Sequence, residues 1–95
     1  MSYTASTISI RANTNVPFKD YSDEIKAYIE ENYVVTGMRI SVEKIISEDA
    51  TTRTYTTVWV DQAAHETFLN DPIMLNYITE LEAYNTANDI FVYRA

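Results

Sequence analysis

Residues Thr51 to Pro72 read TTRTYTTVWVDQAAHETFLNDP, and the organisation of the whole chain follows from this stretch. Thr51 to Val60 is β-branched or aromatic almost without interruption, as a strand requires. Tyr55, Thr57 and Trp59 fall on one face and Thr56, Val58 and Val60 on the other, so both faces carry side chains suited to burial. Asp61 then offers a carboxylate to the free N–H groups of a short helix, Gln62 to Leu69. Asp71-Pro72 repeats the signal with a capping acid and a proline at the first helical position. The helix that follows carries Met74, Tyr77, Ile78 and Leu81 at helical spacing. A break over Asn85 to Asp89 leads to a closing strand, Ile90 to Tyr93.

Upstream, Thr4 to Ala12 alternates with period two, placing Ile8, Ile10 and Ala12 on one face and Thr7, Ser9 and Arg11 on the other. The first face is the expected buried one. From Phe18 the period becomes helical: Phe18, Tyr21, Ile25, Tyr28 and Ile29 share a face, and Asp20, Asp23 and Glu24 sit where the positive end of a helix dipole favours them. Asn32 to Gly37 ends this helix, with Gly37 free to adopt positive φ. Met38 to Ser47 is a second strand, whose adjacent Ile45 and Ile46 break the alternation and suggest a bulge or twisted end. Glu48-Asp49-Ala50 turns it back into the Thr51–Val60 strand as an antiparallel hairpin.

The element order is β-α-β-β-α-β, an α+β, ferredoxin-like arrangement over a single domain, residues 1–95. Right-handed crossovers place the helices on one face of a four-stranded antiparallel sheet. The other face, expected to carry Tyr55 and Trp59 or their neighbours one register away, needs a cover. A second copy, sheet against sheet, is the simplest, so a homodimer is expected.

Composition narrows the function. The net charge is −7, with no run of basic residues, which argues against nucleic-acid binding and against an anionic membrane surface. An RNA-recognition module of the same topology needs aromatics on strands one and three amid basic residues, and strand one offers only Ile8, Ser9 and Ile10 at its centre. Without cysteine there are no disulfides, thiolate metal sites or cysteine nucleophiles. No stretch resembles a signal peptide or a membrane span, so a cytoplasmic protein is expected. Phosphate loops, nucleophile elbows and paired-carboxylate motifs are missing, and neither a cofactor nor a metal is implied.

The segment VWVDQAAHETFLNDP, with Val58-Trp59, the acidic cap Asp61, Phe68-Leu69 and Asn70-Asp71 before the next helix, resembles the dimeric α+β barrel superfamily. Within it, the nearest group is the antibiotic-biosynthesis-monooxygenase-like one. The resemblance implies two sheets closing into a barrel, with a small apolar cavity in each subunit. Members with known activity include cofactor-independent oxygenases acting on aromatic polyketides and haem-degrading enzymes. The axial histidine of the haem-degrading members would fall at or beside Ile78, and the helix from Ile73 to Asn85 has no histidine. Their pocket asparagine has no counterpart near Ser9-Ile10, and their pocket tryptophan would be Phe68. Haem degradation is therefore disfavoured.

Eight tyrosines, three phenylalanines and one tryptophan supply material for a pocket or a seal. Tyr21 and Tyr28, seven residues apart, and Tyr77 on the second long helix are candidate ligand contacts, with Trp59 and Phe68 as pocket walls. His65, the only histidine, is the one candidate base, set against a boundary position at the edge of its helix's apolar stripe. Arg39 and Arg53 are expected across from each other in the hairpin, as carboxylate holders or as partners of Glu43 or Glu48. The sequence thus favours a dimeric barrel protein that binds a small apolar or aromatic molecule. The alternatives are a cofactor-independent monooxygenase and a non-enzymatic structural or interaction protein.

Overall fold

The computed structural model of the chain describes residues 2–94, so the ends of the expected domain, Met1 and Ala95, lie outside the described residues. Four strands, β1 (Tyr3–Ile10), β2 (Arg39–Ile46), β3 (Thr52–Trp59) and β4 (Phe91–Arg94), form one sheet in the order β2-β3-β1-β4. All three pairings are antiparallel. The helices are α1 (Asp23–Ile29), continued by a π-helical turn over Glu30–Val34, then α2 (Gln62–Leu69) and α3 (Pro72–Ala87). This is the ferredoxin-like α+β arrangement expected from the element order.

Each helix begins where a side chain can satisfy its free N–H groups. Ser22 Oγ accepts from Ile25 N at 3.2 Å, Asp61 from Ala64 N at 2.8 Å, and Asp71 from Ile73 N at 2.9 Å. The Ser22 cap corrects the expected start of the first helix. Phe18, Asp20 and Tyr21 precede it in irregular chain, where a continuous helix through them would have left Ser22 in a helix interior. At the other end α3 runs on through Ala87, beyond the expected break at Asn85. Gly37 adopts φ +82°, as its position after the first helical segment required.

The core gathers under α2. Trp59 is 1% exposed, Met74 is fully buried, and Ile29, Tyr33, Ala64 and Phe68 complete the cluster. Edge-on and tilted aromatic contacts link Trp59 to Phe68 at 4.9 Å and to Tyr33 at 6.1 Å between ring centroids, the spacing aromatic pairs prefer. The indole N–H donates to Thr57 Oγ1 at 2.8 Å, so a buried donor is satisfied within its own strand.

Register reverses two expectations about the sheet. Tyr3, Ala5, Thr7 and Ser9 of β1 stand in the same rows as Trp59, Thr57, Tyr55 and Arg53 of β3, and this set faces the helices. Tyr55 and Trp59 are therefore inside, and Ile8 and Ile10, expected to be buried, lie on the open face. Alternation identifies the two faces of a strand but not which one the helices cover. The bulge also differs in place: the β2–β3 register shifts between Arg39 and Ser41, making Ile40 the extra residue, whereas Ile45 and Ile46 pair regularly.

Asp71 ties α1 to the α2–α3 junction. Its Oδ2 accepts from the hydroxyls of Tyr28 and Tyr33, each at 2.5 Å, while its other oxygen caps α3. Residues five apart on an α-helix point roughly 140° away from each other. The π-helical turn, closed by Val35 N to Glu30 O at 2.9 Å, widens the helix so that both tyrosines converge on one carboxylate. Burial pushes the Asp71 carboxyl up, but the two phenol hydrogen bonds and the N–H groups of Ile73 and Met74 outweigh it and hold it below the ordinary aspartate value of 3.8. The stabilisation is thus present above that value and lost as pH falls through the lower folded one. In urea unfolding followed by tryptophan fluorescence, Asp71→Asn is expected to be less stable than the native chain at neutral pH, with the gap narrowing below pH 3.8. Parallel stability curves for the two proteins would refute this role.

Candidate functional site

A cleft of about 950 Å³ lies between the inner face of the sheet and the helices. Its floor follows from the small side chains of β1. Ala5, Thr7 and Ser9 point inward, so little fills the space beneath α3. On one side it is bordered by Arg39, Val42 and Lys44 of β2, an edge strand whose residues after Arg39 are all exposed.

Along β3 the floor changes character in the order Arg53, Tyr55, Thr57, Trp59, a distance of roughly 20 Å at the usual strand rise. At the aromatic end, His65 of α2 packs on Trp59 and Tyr3, each at 5.3 Å between centroids. Burial lowers the imidazole pKa from its ordinary 6.5, the Arg94 charge pushes it the same way, and Glu66 opposes them. The ring is therefore neutral at pH 7, the form that can accept a proton.

In the middle, Tyr21 packs against Tyr77 at 4.8 Å and Tyr55 at 6.3 Å. Burial, with Tyr55 and Tyr77 nearby, raises the Tyr21 pKa, and only Arg39 pulls it down. Burial and then the Asp20 carboxylate push Tyr77 up to about 12. The Tyr21 and Tyr77 phenols stay protonated at any physiological pH and act as hydrogen-bond donors.

At the far end, Asp20 holds Arg53 at 2.9 Å and Lys44 at 3.0 Å. Phe18 lies under two guanidiniums, with Arg11 at 4.2 Å and Arg53 at 4.8 Å from its ring centre. Arg39 and Arg53 do not face each other, contrary to expectation, because Arg39 pairs with Trp59 and Arg53 with Ile46. Nor do Glu43 and Glu48 hold them: Arg53 turns inward, away from the hairpin, to reach Asp20.

Of the sequence-derived candidates, Tyr21, Trp59, His65, Phe68 and Tyr77 line the cleft. Tyr28 does not, since its hydroxyl is engaged by Asp71 on the far side of α1. Tyr3 and Tyr55, which are not among the sequence-derived pocket candidates, line the cleft too, as does Arg39, a candidate carboxylate holder. The period-two pattern placed Tyr55 beside Trp59 and could have found it, whereas nothing local marks Tyr3.

Compared with solved structures, the chain aligns over nearly its whole length. Its fold is similar to that of SnoaB. SnoaB, a cofactor-independent oxygenase from Streptomyces nogalater, superposes with a TM-score of 0.67, covering 99% of this chain and 88% of its own at 15% identity. Rv0793 from Mycobacterium tuberculosis superposes with a TM-score of 0.53, covering 98% of this chain and 93% of its own at 14% identity. No protein-family model matches the sequence, and no curated protein matches it. At these identities the likeness is one of fold, the ferredoxin-like α+β form.

The state of His65 is measurable directly. Its imidazole resonances are expected to titrate in NMR with a midpoint below 6.5, and a midpoint at or above that value would place the ring in water.

Proposed function

We propose that the protein is a homodimer that binds a small apolar or aromatic molecule in the cleft between sheet and helices. The observation that supports this most is the cleft itself, about 950 Å³ in a chain of 95 residues, at the upper end of what ligand sites occupy. Its rings, Tyr21, Tyr55, Trp59 and Tyr77 among them, offer flat apolar surface, which suits a ligand with a flat apolar body. The cytoplasmic setting expected from the sequence belongs to the same proposal, and among the described residues no helix is long and apolar enough to cross a membrane.

The dimer is supported by the open face of the sheet. Ile45, Thr54, Ile8 and Tyr93 form one row across all four strands there, and Ile10 and Phe91 stand in the next. Phe91 is 64% exposed and Tyr93 43%, a concentration of apolar surface that a second sheet would cover.

A second reading, cofactor-independent oxygenation, is favoured by the neutral His65 ring at the aromatic end and by the fold shared with SnoaB. Such chemistry needs a base to deprotonate an electron-rich aromatic substrate, which then gives electrons to dioxygen without a cofactor. Oxygen uptake with such a substrate that His65→Ala abolishes, while leaving ligand binding intact, would select this reading.

Native and then denaturing mass spectrometry of the purified protein tests the main proposal. The expected result is a dimer that takes up one small aromatic molecule per subunit and releases it on unfolding. Ile8→Lys, in the centre of the open face, is expected to give a monomer. A chain that binds no such molecule would leave an interaction protein as the reading, and a native monomer would overturn the assembly.

A further inference from the structure

The charges of this acidic protein are not evenly spread. Lys19, Lys26, Arg39, Lys44, Arg53 and Arg94 all line the cleft, six of the seven basic residues in the chain. Only three acidic residues, Asp20, Glu30 and Glu82, line it with them, which gives a net +3. The rest of the molecule holds one basic and eleven acidic residues, a net −10, as follows from the composition of the whole chain. A concave positive lining within a negative body focuses the field into the cleft and selects the sign of what enters.

The cations are not equivalent. Lys44 and Arg53 already share the single carboxylate of Asp20. Arg39 is half-buried, and among the described residues no carboxylate pairs with it, although the chain has fourteen. It stands in the same cross-strand row as Trp59 and Tyr3, and its charge is felt at the Tyr21 hydroxyl. A half-buried arginine left without an anion, in a cleft that also holds phenol donors, is half of a charge-assisted pair.

A phosphate group is the less suitable anion. Phosphate sites commonly use the free N–H groups at a helix N-terminus. Here Ser22, Asp61 and Asp71 occupy all three helix starts, two of them with negative charge. A carboxylate needs no such cradle, because the two parallel N–H groups of one guanidinium match its two oxygens.

We infer that the cleft takes an aromatic carboxylate, with its anionic group on Arg39 and its ring system along Tyr21, Tyr55 and Tyr77. This rests on the small-molecule reading above and narrows it from apolar ligands to amphipathic anions. The tyrosine rings offer flat apolar surface, and their hydroxyls can donate to the lone pairs that the two carboxylate oxygens keep when Arg39 holds both.

Three ligands of one shape separate this inference from the reading beneath it: 2-naphthoate, 2-naphthylmethanol and 2-naphthylmethylammonium, titrated by fluorescence at low ionic strength. Naphthoate is expected to bind at least about tenfold tighter than the alcohol, the worth of one charge-assisted contact, and the ammonium weakest of all. Arg39→Gln should cut most of the preference for naphthoate, leaving only what the remaining cations supply, with an unchanged far-UV circular dichroism spectrum to report that the variant is folded. Equal affinity for naphthoate and alcohol, or an undiminished preference in Arg39→Gln, overturns the inference and leaves the apolar pocket standing. Binding of none of the three overturns the small-molecule reading and this inference together.

Discussion

One carboxylate holds the helical layer together. Asp71 caps α3 and at the same time accepts the hydroxyls of Tyr28 from α1 and Tyr33 from the turn that continues it. Those contacts join parts of the chain about forty residues apart and fix where α1 stands over the α2–α3 junction. Tyr33 in turn meets Phe68 at 5.0 Å and Trp59 at 6.1 Å, so the carboxylate also positions the aromatic wall that closes one end of the cleft. A short, ionised acceptor suits this task, because hydrogen bonds to charge are stronger than neutral ones and tolerate partial exposure.

Much of this fold is legible in the residues. Asp61 and Asp71-Pro72 announce their helices because capping is local chemistry that needs no tertiary context. Gly37 announces its turn for a similar reason. The start of α1 is not legible in the same way, because Phe18 and Tyr21 have helical spacing yet are held by distant partners. Phe18 is covered by Arg11 and Arg53, and Tyr21 by Tyr55 and Tyr77. No local pattern records such contacts. Tyr28 shares the helical face of pocket residues yet turns to Asp71, because a helical face says nothing about which of two neighbours it meets.

The reversal of β1 has a more general cause. Assigning the more apolar face of a strand to the interior holds where the interior is packed solid. Here the inner face of β1, Ala5, Thr7 and Ser9, borders a cavity, and its larger residues, Ile8 and Ile10, are on the opposite side. Small and hydroxylated side chains inside are what leave the volume empty. The same inversion explains why Arg39 and Lys44 of β2 lie on the helix-facing side: a solvated cleft accepts charges that a sealed core would exclude. Edge-strand charge also discourages further strands from pairing along β2.

The π-helical turn over Glu30–Val34 carries a consequence for descent as well as for packing. Such turns hold one residue more than the α-helical turn they replace. A cousin of this chain with a plain α-helix here would be one residue shorter, and its sequence would match this one only across a gap opened between positions 30 and 35. Without that gap every later position is compared with the wrong neighbour, and inward and outward residues of β2 and β3 exchange places. Kinship among proteins of this shape can therefore persist in three dimensions after it has faded from letter-by-letter comparison.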